Sequence, residues 1–246
     1  MTRKDQVAAA FSAATATYEA AARAQAISAD HLAAMVAALP RPPQATVLEF
    51  GCGTGLLTRR LLPLVAGDWL ITDLSPTMLE TARAIAAHAR FQVMDAEWPE
   101  VGEQRFDLIV SNLAAQWFHD LAAAIARLTA LLAPGGHLVF STLGAQSFRQ
   151  WRDAHAALDL PCGIPAFPSR AALQNILPAA RIDEQLFTLP YDHGRAFAAE
   201  LKRIGAGTPS PGHRPLKVAD MRAVLQRLGQ PASITYDVLH VVIGPR

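Results

Sequence analysis

The stretch LEFGCGTGLL, residues 48–57, decides the fold. Gly51, Gly53 and Gly55 lie between a strand-like apolar run, TVLEF at 46–50, and a helix-like run beyond them. Glycine permits positive φ and removes the Cβ that would hold a ligand off the backbone. The dinucleotide fingerprint G-x-G-x-x-G would place its third glycine at position 56, where this chain has Leu56, so the spacing argues against a bound pyrophosphate. It is not a P-loop either, because no G-K-[ST] follows.

Outward from the loop, short β-branched or aromatic runs alternate with helical segments. TVLEF, WLIT (69–72), FQVM (91–94), FDLIVS (106–111) and HLVFST (137–142) read as strands. SPTMLETARAIAA between two of them has Ser75 as a helix N-cap and Pro76 at the first helical position. Ala133-Pro134-Gly135-Gly136 reads as a turn that closes the helix after Phe118 and launches the strand at His137. Regular β-α-β alternation predicts an α/β, doubly wound, mostly parallel sheet with helices on both faces. Before it, residues 5–39 read as helical up to Pro40, Pro42 and Pro43. After it, a helix over 146–159, a helix capped by Ser169, and strands RIDEQLFTLPY (181–191) and SITYDVLHVVI (233–243) are expected. Residues 1–246 should form a single domain, with 1–43 an N-terminal helical cap. Residues 192–232 are more than a plain connection requires and are expected to be a lid insertion before the last strand.

Composition narrows the function. The chain has 246 residues, 51% of them hydrophobic, and a formal net charge of +1, which favours neither disorder nor bulk nucleic-acid binding. Cys52 and Cys162 have no CxxC spacing, and the eight histidines show no metal-ligand spacing, so neither a disulfide framework nor a metal site is expected. A reducing, cytoplasmic setting fits. The Ala-rich N-terminus is broken by charges, unlike a signal peptide, and no apolar run approaches the ~20 residues of a membrane span.

In a doubly wound sheet the carboxyl ends of neighbouring strands converge on one crevice. Glu49 stands before the glycines, Asp73 ends the second strand, Asp95 ends the third, and SNLAAQW (111–117) follows the fourth. An acid at Asp73 can accept hydrogen bonds from ribose hydroxyls. A nucleoside without a pyrophosphate is the ligand such a crevice describes.

As a set, E-x-G-x-G-x-G from Glu49, the acid at 73, Asp95-Ala96 and the Pro-Gly-Gly turn resemble the class I S-adenosylmethionine-dependent methyltransferases. The resemblance implies a Rossmann-like, seven-stranded sheet with the last strand antiparallel. It also implies that Gly51, Gly53 and Gly55 line the methionine and ribose portion of S-adenosylmethionine and that Glu49 lies near its amino group. Asp73 would then bind the ribose hydroxyls, Leu74 and Met78 would flank adenine, Asp95 with Ala96 would reach the exocyclic amine, and Asn112 would border the cofactor. The product would be S-adenosylhomocysteine.

A narrower resemblance covers most of the chain. FSAATATYEAAARAQ (11–25), SNLAAQWFHDL (111–121), GGHLVFSTLGAQSFRQWRDA (135–154) and LKRIGA (201–206) are similar to the malonyl carrier-protein O-methyltransferases of biotin synthesis, the BioC family. That family esterifies the free carboxyl of a malonyl thioester, so malonyl-acyl carrier protein or malonyl-coenzyme A is the implied partner, with no nucleic acid or membrane. After Ala206 the proline-rich GTPSPGHRPLKVADMR departs from the family's pattern. Trans-aconitate methyltransferases share the N-L-A-x-Q-W segment and also esterify a carboxylate, which leaves a small-molecule carboxylate as the alternative substrate. STLG and LKRIGA favour the biotin branch.

A carboxylate nucleophile is already ionised at neutral pH, with a reference pKa of about 4, so positioners are needed and a general base is not. Tyr18, Asn112 and Gln116 are the candidates for the catalytic centre; Tyr18 could donate to the carboxylate and close over the sulfonium, and it could equally be a half-buried core tyrosine. Trp117 reads as substrate contact or as core packing. Between His193 and Lys217, Arg195, Lys202, Arg203, Arg214 and Lys217 face only Glu200, and a basic lid suits an acidic carrier or a substrate carboxylate. Lys202, Arg203 and Arg214 are the candidates for that contact, against the plainer reading of a solvated helix face. Cys52 reads as a small apolar filler, and His119 with Asp120 as a helix cap.

Overall fold

The computed structural model describes residues 2–245. The chain runs α1 (Arg3–Ala21), α2 (Arg23–Ala37), β1 (Ala45–Phe50), α3 (Leu56–Leu61), β2 (Gly67–Asp73), α4 (Pro76–Arg83), β3 (Arg90–Val93) and β4 (Phe106–Ser111). It continues through α5 (Leu121–Thr129), β5 (Leu132–Leu143), α6 (Arg149–Ala156), α7 (Arg170–Ile176), β6 (Arg181–Tyr191), α8 (Gly194–Arg203), α9 (Val218–Arg227) and β7 (Ala232–Ile243). The strands form one seven-stranded sheet in the order β3-β2-β1-β4-β5-β7-β6. All pairings are parallel up to β5, and β7 lies antiparallel between β5 and β6, as the resemblance implied. The strand order reverses between β1 and β4, and this switch point opens a crevice at their carboxyl ends.

Period-two alternation supplies both faces. Val47, Ile71, Leu108, Val110 and Val139 pack with Leu32 and Val36 of α2, Leu57 and Leu61 of α3, and Leu79 of α4. Their neighbours Leu48, Leu70, Ile109, Leu138 and Phe140 point the other way, onto Ile125 and Leu128 of α5 and Leu173 of α7. A side chain such as Phe140, fully buried, would cost roughly 3–5 kcal/mol on truncation to alanine. A third apolar cluster joins Trp151 of α6, Phe197 of α8 and Val224 of α9 to Tyr236 and Val238 of β7.

Three expectations change. The single helix over 5–39 is two helices, broken at Ala22 (φ −85°, ψ 47°), because α1 lies on α4 and α8 whereas α2 lies on α3, β5 and β7. No glycine or proline marks that break. Ala133–Gly136 is not a free turn but belongs to β5, where the register jumps from Phe106↔Leu132 to Leu108↔His137. Gly136 is needed there because a Cβ would stand 2.7 Å from the Phe106 carbonyl oxygen. The helix expected over 146–159 is shortened to α6, since Phe148 adopts a left-handed φ of 60° and its N–H donates to Thr235 of β7. The segment 192–232 contributes α8, a connection over 204–217, and α9.

Candidate active site

β1 delivers the glycine loop to the switch point with Gly51 at φ +61°, Gly53 at +55° and Gly55 at +87°. At Gly51 a Cβ would also lie 2.5 Å from Ala114 Cβ, so the loop can approach the segment after β4 only without a side chain. Cys52 is buried and its N–H continues the ladder to Thr72 O, consistent with a filler.

Around the loop stand carboxylates in unusual surroundings. Glu49 is 1% exposed and accepts a hydrogen bond from Thr58 Oγ1 at 2.7 Å. Burial pushes its pKa up to about 8, with the Asp73 charge adding to the rise and the Thr58 bond opposing it. Asp73 Oδ2 accepts from the Gly53 N–H and Oδ1 from the Ser75 N–H, both at 2.8 Å. Burial raises its pKa while these amides favour the charged form. Thus Asp73 ties the glycine loop to the start of α4, and each oxygen retains accepting capacity on its other lone pair. Thr54 Oγ1 and Ser111 Oγ, both buried, have no hydrogen-bond partner among the described residues. A side-chain-free cradle, two orphaned hydroxyls and two carboxyls fit the polar amino-acid and ribose end of S-adenosylmethionine. Leu74 is half-buried at the β2–α4 turn, Met78 is buried in the first turn of α4, and Ala96 is buried behind Asp95.

α1 crosses this crevice. Ser12 Oγ lies 2.7 Å from the capping Ser75 Oγ, and Tyr18 lies over the loop, with Cζ and Oη 3.8 Å from where a Gly53 Cβ would be. Burial, then the Asp73 charge, pushes the Tyr18 pKa up, so the phenol stays protonated and keeps its O–H as a donor. Lys4 pairs with Asp95 Oδ2 at 2.5 Å and also with Glu97. Asp95 therefore faces an ammonium group from the N-terminal helix, a contact 91 residues away in sequence that no local pattern announces.

A cavity of about 510 Å³ adjoins the crevice. Tyr18, Gln116, Trp117 and Lys202 all line it, so the structure brings these four candidates together. Gln116 Nε2 donates to Leu113 O, leaving Oε1 buried without a partner among the described residues. Trp117 packs edge-on against Phe11, ring centroids 5.7 Å apart. The remaining candidates do not line the cavity. Asn112 Oδ1 accepts from Ser28 and Ser141, and its Nδ2 donates to Gln25 O, so its side chain anchors α2 to the sheet. Arg203 and Arg214 are exposed and do not line the cavity. Glu200 turns inward to Arg23 and Tyr191, which leaves the outer face of α8 basic. Asp120 caps α5 through the Ala123 N–H. Thr54, Ser111, Lys4, Gln25 and His155 also stand at the crevice or the cavity, and sequence reasoning did not single them out; Thr54, Ser111 and Gln25 lie inside the stretches LEFGCGTGLL, SNLAAQW and FSAATATYEAAARAQ, whereas Lys4 and His155 carried no local signal.

Comparison with known proteins identifies the family and the fold. Residues 20–181 match the family described as a methyltransferase domain. The chain is 45% identical over 92% of its length to the biotin biosynthesis bifunctional protein BioCD of Bordetella avium, of which it spans 50%. It is 39% identical to a malonyl-[acyl-carrier protein] O-methyltransferase of Magnetococcus marinus, covering 86% of this chain and 82% of that one. Among solved structures, the YcgJ protein of Bacillus subtilis superposes with a TM-score of 0.64 at 19% identity, over 88% of this chain and 99% of that one. The N-methyltransferase NodS of Bradyrhizobium japonicum, solved with S-adenosylhomocysteine, superposes with a TM-score of 0.51 at 16% identity, over 91% and 86%. These two show the fold. No helix among the described residues is long and apolar enough to cross a membrane.

Proposed function

The chain belongs to the S-adenosylmethionine-dependent methyltransferases of the malonyl-[acyl-carrier protein] O-methyltransferase type, and from that premise we propose that it esterifies the free carboxyl of a malonyl thioester carried on acyl carrier protein. The observation that carries the substrate reading is the cavity: about 510 Å³, walled mainly by apolar side chains, with Tyr18 beside the glycine loop and Lys202 on α8. A small tricarboxylate such as trans-aconitate would ask for several cations. A thioester arm asks for apolar walls and one cation for the terminal carboxylate. The exposed Arg203 and Arg214 suit the acidic surface of a carrier, where rim charges act mainly on encounter.

S-adenosylmethionine, when bound, supplies an electrophilic sulfonium methyl. The chain's own task is to hold the acceptor. Because the carboxylate is ionised near neutral pH, no residue need take a proton, and a phenol with a raised pKa suits Tyr18 as a donor that orients one oxygen. The unpartnered Gln116 Oε1 repels a carboxylate placed next to it, so it helps direct the anion toward Tyr18 and Lys202. Alignment of this kind contributes up to about 7–11 kcal/mol in favourable intramolecular cases. Glu49, Asp73 and the three glycines would hold the donor's amino-acid and ribose end, and Asp95 would reach adenine once Lys4 yields it.

The test is a panel of acceptors. Malonyl carrier protein, malonyl-coenzyme A, malonate and trans-aconitate are each supplied with S-adenosylmethionine, and S-adenosylhomocysteine formation is followed. Turnover with the thioesters, highest on the carrier, is expected. Turnover with trans-aconitate alone would overturn the substrate.

A further inference from the structure

A buried histidine lines the cavity on α6, among residues remote in sequence from the glycine loop. His155 of α6 is 2% exposed, yet it lines the cavity. Its Nδ1 lies 2.8 Å from the Trp151 carbonyl oxygen. A carbonyl only accepts, so Nδ1 carries the proton and Nε2 presents a lone pair. Burial depresses the pKa, and neighbouring His213 acts in the same direction against the Trp151 bond, which keeps the ring neutral. None of the described hydrogen bonds reaches Nε2.

Its surroundings are mainly apolar, with the His213 ring the other polar group beside it. The Trp151 ring stands 4.7 Å from the imidazole, and Ile164, Phe167, Leu216 and Met221 complete the wall. The connection between α8 and α9 closes over this end. The Ser210 N–H donates to the Gly163 carbonyl at 2.8 Å, and the His213 ring fills the space a side chain at 163 would need, 2.9 Å from an added Cβ.

We propose that this end of the cavity is an amide-reading subsite for the substrate's arm, in which His155 Nε2 accepts a hydrogen bond from an amide N–H. The proposal rests on the malonyl thioester reading. A neutral acceptor in an apolar wall repels carboxylate and phosphate and welcomes an uncharged donor. The pantetheine arm of a carrier protein or coenzyme A offers amide N–H groups, whereas malonate and aconitate offer none. The subsite thus separates thioesters on a pantetheine arm from other malonyl compounds of similar reactivity.

Two thioesters decide it: S-malonyl-pantetheine, which has amides, and a malonyl S-ethyl thioester, which has none. His155→Phe should raise KM for the first about tenfold with kcat held, leaving the second and S-adenosylhomocysteine affinity unchanged. His155→Gln, which restores an acceptor, should recover part of the loss. In 15N-histidine-labelled wild-type protein, pantetheine should move the Nε2 resonance of His155. Equal effects on both thioesters, no effect on either, or an unmoved Nε2 would overturn the subsite. A wild type that methylates neither thioester while Nε2 still responds to pantetheine would sink the malonyl reading and leave the subsite standing.

Discussion

Affinity for the S-adenosyl ligand should rise steeply between pH 6 and pH 8, with Glu49 as the cause. Its carboxyl is 1% exposed, has a single hydrogen bond from a side chain, and burial pushes its pKa up to about 8. The ligand's ammonium is attracted to the ionised form only. If that form alone binds, the competent fraction is about 1% at pH 6 and about half at pH 8, an increase of about 50-fold, or about 2.3 kcal/mol. Below pH 8, each ligand bound should release close to one proton. Calorimetry with S-adenosylhomocysteine at pH 6, 7 and 8, in two buffers of different ionisation enthalpy, measures both quantities. Glu49→Gln should bind weakly at every pH, with a flat profile and no proton release. A flat wild-type profile without proton release would refute the reasoning. The sign for stability runs the other way. A carboxyl whose folded pKa lies above its ordinary 4.5 stabilises the unliganded fold fully below 4.5, and that contribution is lost as pH rises through 8. Unliganded Glu49→Gln should therefore lose less stability than wild type between pH 5 and pH 8.

Tyr18→Phe should lower kcat on malonyl carrier protein by about 10- to 100-fold through lost alignment, with S-adenosylhomocysteine affinity held within about twofold; equal losses in both would place Tyr18 in cofactor binding alone. Asn112→Ala should act on the fold, costing about 1–3 kcal/mol in denaturant titration because Ser28, Ser141 and the Gln25 carbonyl lose their partner. A large loss of kcat at unchanged stability would return it to the catalytic centre. Lys202→Ala should raise KM for malonyl-coenzyme A and the carrier alike, whereas Arg203→Glu with Arg214→Glu should affect the carrier only, with a weaker salt dependence of kcat/KM.

What the sequence disclosed and what it withheld divide along physical lines. The strands, the Ser75 cap and the glycine loop were legible because local backbone geometry restricts residue type: period two for a strand through a core, glycine where φ is positive. The acids at strand ends followed from topology, since parallel strands share one carboxyl edge. Side-chain direction was not legible. Asn112 stands in the expected place yet turns inward, because Ser28 and Ser141 lie behind it. Lys4 reaches Asp95, and His155 reaches the cavity, through tertiary packing that no window of sequence contains. The Ala22 break likewise arises from what each helix rests on, not from a residue that disfavours helix. Of the three basic candidates in 192–232, only Lys202 meets the cavity, for α8 turns one face to it and Arg203 lies one residue round the helix.

Methyl transfer to a malonyl thioester is tested most directly by following the methyl group itself. Malonyl carrier protein is incubated with tritiated-methyl S-adenosylmethionine, the carrier is repurified, and the label is exposed to mild alkali. A methyl ester on the malonyl carboxyl would leave the label on the repurified carrier, and alkali would release it as monomethyl malonate by cleavage of the thioester and then as methanol by hydrolysis of the ester, whereas a methyl ester on the carrier's own side chains would give methanol alone. An unlabelled carrier, or a label that resists alkali, would contradict esterification of the thioester-bound malonyl group.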